Sequence, residues 1–127
     1  MSDKKKILIV DDEADVRTYL QTLFEDAGFE TALAADGREC MAAVRGNRPD
    51  LITLDITMPE QSGVKTYREL KEKNPELTDI PVIVITAIGD EMERFLGSRK
   101  QIPKPDGFMA KPIDQERLLE MVNSLLS

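Results

Sequence analysis

The stretch Ile7-Leu8-Ile9-Val10-Asp11-Asp12-Glu13 decides how the rest of the chain is read. Its four consecutive apolar residues are too few for a helix, and they do not alternate with polar ones as a half-solvated strand would. A short run that is apolar on both sides belongs in the middle of a parallel sheet, covered above and below. Leu51-Ile52-Thr53-Leu54, closed by Asp55, and Val82-Ile83-Val84-Ile85, closed by Thr86, have the same character. Glu30-Thr31-Ala32-Leu33-Ala34 and Phe108-Met109-Ala110 complete a set of five.

The segments between these runs repeat with a helical period. Val16, Leu20, Leu23, Phe24 and Ala27 fall three or four apart, as do Met41 and Val44, then Val64, Tyr67 and Leu70, then Leu118, Met121, Val122 and Leu125. Gly28 stops the first helix and Asp36-Gly37 opens the second. Asn47-Arg48-Pro49 separates that helix from the third strand, and Asn74-Pro75 ends the helix that follows. Gly89 to Leu96 is the weakest helical candidate. Strand and helix alternate five times, which calls for a parallel sheet with helices on both faces and right-handed crossovers.

With 127 residues, 41% of them hydrophobic and 32% charged, the chain has the composition of one globular domain with one core. Seventeen Lys and Arg against 24 Asp and Glu give a net charge of −7. That balance argues against nucleic acid or an anionic membrane as a direct partner, since both demand clustered cations. The absence of histidine removes His–Cys zinc sites, Ser–His–Asp and Cys–His nucleophiles, and a phosphohistidine on this chain. Cys40 is alone and sits in an apolar helical stretch, where it reads as a core residue. The Met1-to-Lys6 start precedes only four apolar residues, too few for a signal peptide or a membrane span, so a cytoplasmic location is expected.

In an open parallel sheet, functional groups gather at the carboxyl ends of the strands. This places Asp11 and Asp12 after the first strand, Asp55 after the third, Thr86 after the fourth and Lys111 after the fifth. Each alone has an ordinary account: a helix N-cap, a turn former, a strand residue, a solvated cation. Together they are chemically matched. Carboxylates about 5 Å apart repel by roughly 3 kcal/mol per pair at an effective dielectric near 20, so a cation belongs among them. An all-oxygen set favours a hard divalent ion, and Mg²⁺ suits carboxylates plus phosphate oxygens. A carboxylate, a hydroxyl and an ammonium aimed at one point fit attack on a phosphoryl group.

These residues resemble the receiver domain of two-component response regulators. The resemblance rests on Ile7 to Glu13, Asp36-Gly37, Asp50 to Pro59 with Gly63, Val82 to Ala87, and Gly107-Phe108-Met109-Ala110-Lys111-Pro112. It spans about Lys5 to Leu126, and Asp55-x-x-Met58-Pro59-x-x-x-Gly63 is its most specific part. It implies a flavodoxin-like (βα)5 three-layer sandwich with strand order 2-1-3-4-5, read as a single receiver domain over residues 1–127 without an output domain. By the same resemblance, Asp55 accepts a phosphoryl group from a histidine kinase or phosphotransfer protein. Asp11, Asp12, Asp55 and the Thr57 backbone carbonyl hold Mg²⁺, Thr86 and Lys111 contact the phosphoryl group, and Thr86 and Phe108 form the switch. Phe108 is equally readable as a plain core aromatic. Lys111-Pro112 is expected to be a cis peptide. The chain would act as a signalling module rather than an enzyme, catalysing only its own phosphoryl transfer and slow autodephosphorylation. Its downstream protein target is unknown, and a homodimer stays open.

Two departures from the family pattern stand out. Thr86 and Lys111 are 25 positions apart, a few more than usual, and Ser98 to Asp106 carries two prolines and three cations. A short helix followed by an extended loop before the fifth strand is expected, either a tolerated insertion or a docking element. Ile88, two positions past Thr86, cannot orient a water, which favours a longer-lived phosphoryl group. Two rival readings remain: a receiver-like binding module that works without phosphorylation, and an aspartyl-phosphate phosphohydrolase. The second commonly carries another Asp two positions after the nucleophile, where this chain has Thr57.

Overall fold

The computed structural model describes residues 4–58, 62–87, 95 and 103–127. Ile88, most of the Gly89–Leu96 candidate and residues 98–102 of the expected loop lie outside them. A five-stranded parallel sheet runs in the order β2-β1-β3-β4-β5, formed by Lys6–Val10, Glu30–Ala34, Leu51–Leu54, Val82–Thr86 and Gly107–Ala110. Thr86, expected just beyond the fourth strand, is its last residue, because its carbonyl accepts the Lys111 N–H (2.8 Å) and carries the β4–β5 ladder one step further. Among the described residues the α-helices with assigned bounds are α1 (Ala14–Asp26), α2 (Gly37–Gly46), α3 (Ser62–Arg68) and the C-terminal α4 (Gln115–Leu126). A π-helical turn, Glu69–Lys73, continues α3.

Alternation along the strands builds two cores. Ile7, Ile9, Leu51, Ile83 and Ile85 pack with Leu20 and Phe24 of α1 and Leu118 and Val122 of α4. Leu8, Val10, Ile52, Leu54, Val82 and Val84 pack with Met41 and Val44 of α2 and Tyr67 of α3. β1, β3 and β4 are thus covered on both faces, as their unbroken apolar runs demand. Cys40 belongs to the second core, and burial pushes its thiol up to about 12, which leaves it protonated and inert.

Gly28 ends α1 at φ +97°, where the Phe29 N–H donates to Phe24 O and the Gly28 N–H to Glu25 O, each at 3.0 Å. This pairing needs a left-handed residue, and glycine adopts it without a Cβ penalty. Asp36 caps α2 by accepting the Glu39 N–H at 2.8 Å, while Glu39 Oε1 accepts the Ala35 N–H at 2.7 Å. At the amino edge of the sheet, Asp50 Oδ2 accepts the Lys6 N–H and Asp106 Oδ2 the Val82 N–H, both at 2.8 Å. Each carboxylate lies just outside a strand and pins the neighbouring strand's first amide, which fixes register.

One buried hydroxyl works against the fold. Thr53, in β3, is 1% exposed and its Oγ1 has no hydrogen-bond partner among the described residues. An unpaired buried hydroxyl costs about 1 kcal/mol or more, so Thr53→Val, which keeps the shape, is expected to raise unfolding stability by about 1 kcal/mol. Urea denaturation checks this, and a loss of stability would mean that the hydroxyl is satisfied.

Candidate functional site

β1 and β3 are neighbours, yet their following helices pack on opposite faces of the sheet, so a crevice opens at their carboxyl ends. Asp11, Asp12 and Glu13 leave β1 there and Asp55 leaves β3. Each of these four carboxylates offers an oxygen within 4.8 Å of the others. Asp11 and Asp55 are buried, whereas Asp12 and Glu13 face solvent at the mouth. The Lys111 ammonium reaches in from the end of β5, 3.1 Å from Asp11 Oδ2, 3.4 Å from Asp55 Oδ2 and 3.7 Å from Glu13 Oε1. The Lys111–Pro112 peptide is cis.

The two oxygens of Asp55 do different things. Oδ1 accepts both the Thr57 N–H (2.8 Å) and the Thr57 hydroxyl (2.6 Å), so the turn after β3 orients the carboxylate. Oδ2 is left to Lys111. Asp11 is similarly held, since its Oδ1 accepts the Glu13 N–H (2.9 Å) and its carbonyl accepts Arg17 Nη1 (2.6 Å). Thr86 is fully buried, and its Oγ1 has no hydrogen-bond partner among the described residues. This hydroxyl stands at the carboxyl end of β4, the end of the sheet at which the carboxylates and Lys111 gather. Phe108, half-buried on β5, stacks on Phe95 with centroids 6.2 Å apart and planes at 17°.

Four carboxylates around one ammonium leave a formal site charge of 1 − 4 = −3. Burial raises the Asp11 pKa above the ordinary 3.8; the Glu13 amide opposes this, the Asp55 charge adds to it, and Lys111 opposes it. Burial pulls the Lys111 pKa down, but Asp55 and Asp11 outweigh it and hold the ammonium above the ordinary 10.5. The oxygen-only donor set, its uncompensated charge and its room for water fit a hard divalent cation such as Mg²⁺.

A pH dependence follows. Folded Asp11 takes up a proton at higher pH than the unfolded chain does, so its ionised form weighs against the apo fold above 3.8, and acidification through its raised pKa relieves that strain. Divalent binding needs the ionised form. Mg²⁺ affinity is therefore expected to start falling at a higher pH than an ordinary carboxylate would dictate, and calorimetric titration at stepwise lower pH reads this. The Lys111 pairing holds below 10.5 and is lost only as pH rises through the raised lysine pKa.

Set beside known proteins, residues 7–123 match the family model for the response regulator receiver domain. The chain belongs to that family. Relatives of this receiver include the probable transcriptional regulator ycf27 of Cyanophora paradoxa, 36% identical over 98% of this chain and 49% of the relative. Another is the alkaline phosphatase synthesis transcriptional regulatory protein PhoP of Bacillus subtilis, 31% identical over 96% of this chain and 48% of the relative. The receiver thus spans about half the length of these regulators. Among solved structures, the receiver domain of a signal transduction histidine kinase from Syntrophus aciditrophicus superposes with a TM-score of 0.84 at 35% identity, covering 96% of this chain and 89% of that one. Vibrio cholerae chemotaxis protein CheY4 gives 0.81 at 27% identity, covering 97% and 99%. Receivers are signalling modules of two-component systems, and the fold, strand order and acidic pocket of this chain are those of the family.

The structure brings Asp11, Asp12, Asp55 and Lys111 together, and places Thr57 against Asp55. Three residues quoted in the sequence take roles that the sequence reading did not give them. Glu13 joins the acidic cluster, the Thr57 hydroxyl orients Asp55, and Gly63 lies against the turn after β3. Each sits close to a residue already in view: Glu13 in Asp-Asp-Glu, Thr57 two positions past Asp55, and Gly63 at the end of the Asp55-to-Gly63 motif. Among the described residues, no helix is long and apolar enough to cross a membrane.

Proposed function

We propose that Asp55 is the phosphoacceptor of a Mg²⁺-dependent switch. The observation that carries this reading is Lys111 Nζ lying between Asp11 and Asp55 inside a four-carboxylate cluster. An Asp55 oxygen attacks the phosphorus of a phosphohistidine on the donor protein; the O–P bond forms, the P–N bond breaks, and the imidazole leaves with the electron pair. Oδ1 is held by Thr57, so Oδ2, on the Lys111 side, is the attacking atom. Mg²⁺ held by Asp11, Asp12, Asp55 and the Thr57 carbonyl would neutralise charge on the transferring group. Lys111 supplies a fixed positive charge to a phosphoryl oxygen, and the Thr86 hydroxyl gains the partner it lacks.

The product carries charge that only a rearranged site satisfies, which shifts the population toward a second conformation. Phe108 is the aromatic that responds when Thr86 moves. Autodephosphorylation stays slow, and the chain turns over no separate substrate. The donor is a histidine kinase or phosphotransfer protein. A cavity of about 360 Å³ lined by Asp15, Val16, Tyr19, Lys111, Pro112 and Ile113 opens beside the site, and the part-exposed Tyr19 gives an incoming helix an aromatic anchor. The downstream target is a protein, in keeping with the acidic charge.

Incubation with acetyl phosphate tests the reading by intact mass. One added phosphoryl unit with Mg²⁺, and none with a chelator, is the expected result. A folded, Mg²⁺-binding protein that stays unmodified even with a histidine kinase would favour a module acting by constitutive contacts.

A further inference from the structure

Gly63, Tyr67 and Lys71 are spaced four apart along α3 and the π-helical turn that continues it, so they line one side of that element. Each is fastened to a different part of the molecule. Gly63 lies so close to the acceptor turn that a Cβ there would overlap Asp55 O and Ile56 Cα. Tyr67 is fully buried; its ring meets Phe95 edge-on at 5.5 Å, and its hydroxyl donates to Pro103 O, 36 positions along the chain. The Lys71 ammonium, its side chain 8% exposed, pairs with Asp106 Oδ2 at 2.8 Å and donates to Ile80 O at 2.8 Å and Thr78 O at 3.1 Å. The same Asp106 oxygen accepts the Val82 N–H.

One end of α3 therefore abuts the backbone of Asp55 and Ile56, and its far end with the π-helical turn holds the approach to β5. The Gly63 contact is backbone on backbone, with no side chain to yield. The far attachments are directional polar bonds from largely buried groups, which confer register rather than generic adhesion. Phe95 adds a second link, since it contacts Tyr67 on one side and stacks on Phe108 of β5 on the other.

We infer that α3 is a strut that couples the acceptor turn to the Pro103–Asp106 segment, with Tyr67 and Lys71 as positioning residues, so that this segment responds to the state of Asp55. The inference rests on Asp55 being the phosphoacceptor. A rigid helix moved at Gly63 moves at Tyr67 and Lys71 as well, and the segment it holds, with Lys104 exposed, is carried along. This route runs through α3 and touches the Thr86–Phe108 path at Phe95, whereas the bonds of Tyr67 to Pro103 O and of Lys71 to Asp106 bypass it.

Amide NMR on the full chain tests it, with wild type, Tyr67→Phe and Lys71→Met each recorded before and after acetyl phosphate and Mg²⁺. Intact mass on the same samples measures the adduct. Tyr67→Phe keeps the buried ring and removes one hydroxyl, so it isolates the bond to Pro103. In wild type the Lys104, Asp106 and Val82 amides shift on phosphorylation. In either variant, at unchanged adduct yield, the Lys104 response falls to about half or less. A purely structural role would alter the unphosphorylated spectrum and leave the phosphorylation-induced difference intact. Equal differences in wild type and both variants overturn the strut, as does a fully phosphorylated wild type whose Lys104 and Asp106 amides stay still. A wild type that takes up no phosphoryl group overturns the acceptor reading itself, and the strut with it.

Discussion

Asp55→Asn, treated with acetyl phosphate and Mg²⁺, is expected to keep its unmodified mass. The amide is nearly isosteric with the carboxylate, and its carbonyl oxygen can still accept the Thr57 N–H and hydroxyl bonded to Oδ1 in the wild type. What changes is Oδ2, which becomes an NH₂ that is no nucleophile and repels the Lys111 ammonium 3.4 Å away. The site charge drops from −3 to about −2, so Mg²⁺ binding weakens together with the chemistry. The fold should survive, because removing the Asp55 charge also removes one of the two influences that push the Asp11 pKa up. A thermal melt of the metal-free variant close to wild type would show this. A phosphoryl adduct forming on Asp55→Asn at the wild-type rate would place the acceptor elsewhere, with Asp11, Asp12 and Glu13 as the remaining carboxylates of the cluster.

Gly63→Ala is expected to have the largest effect on stability. The added methyl would collide with Asp55 O and Ile56 Cα and stand 2.8 Å from the Ile56 carbonyl carbon. All three are backbone atoms, and they cannot retreat. The Asp55 N–H is bonded to Val10 O at 3.0 Å, and Ile56 is itself fully buried. Either α3 moves outward, opening the core around Tyr67 and Leu70, or the acceptor turn distorts. Overpacking against a fixed backbone costs about 3 kcal/mol. Urea denaturation should show a lower midpoint, and phosphoryl incorporation should fall in the protein that remains folded. A midpoint unchanged from wild type would mean that α3 does not press on the acceptor turn.

Five parallel strands, the two-sided burial of the three central ones and their order of appearance were all legible in the sequence, because hydrophobic period is a local property. The chain's end signals were equally local. Gly28 and Asp36 act within one turn of themselves, as their cap hydrogen bonds show. Strand order 2-1-3-4-5 was not in the periodicity; it came from the resemblance and is what the sheet shows. Small boundary differences, such as Thr86 falling inside β4, arise where a ladder bond to the neighbouring strand extends the strand past its apolar run.

The site divides in the same way. Residue type and position at strand ends identified Asp11, Asp12, Asp55, Thr86 and Lys111 as candidates, since a carboxylate, hydroxyl or ammonium announces its chemistry wherever it stands. Their mutual distances, the orphaned Thr86 hydroxyl and the split duties of the Asp55 oxygens were decided only by the packed sheet, which brings together residues up to 100 positions apart. The bonds of Tyr67 to Pro103 and of Lys71 to Asp106 are the clearest case. In sequence Tyr67 is one more apolar helical position and Lys71 one more surface cation, and neither carries a sign of its partner. Such contacts depend on which helix lies over which strand, and that is settled by burial of the whole core rather than by any one stretch of chain.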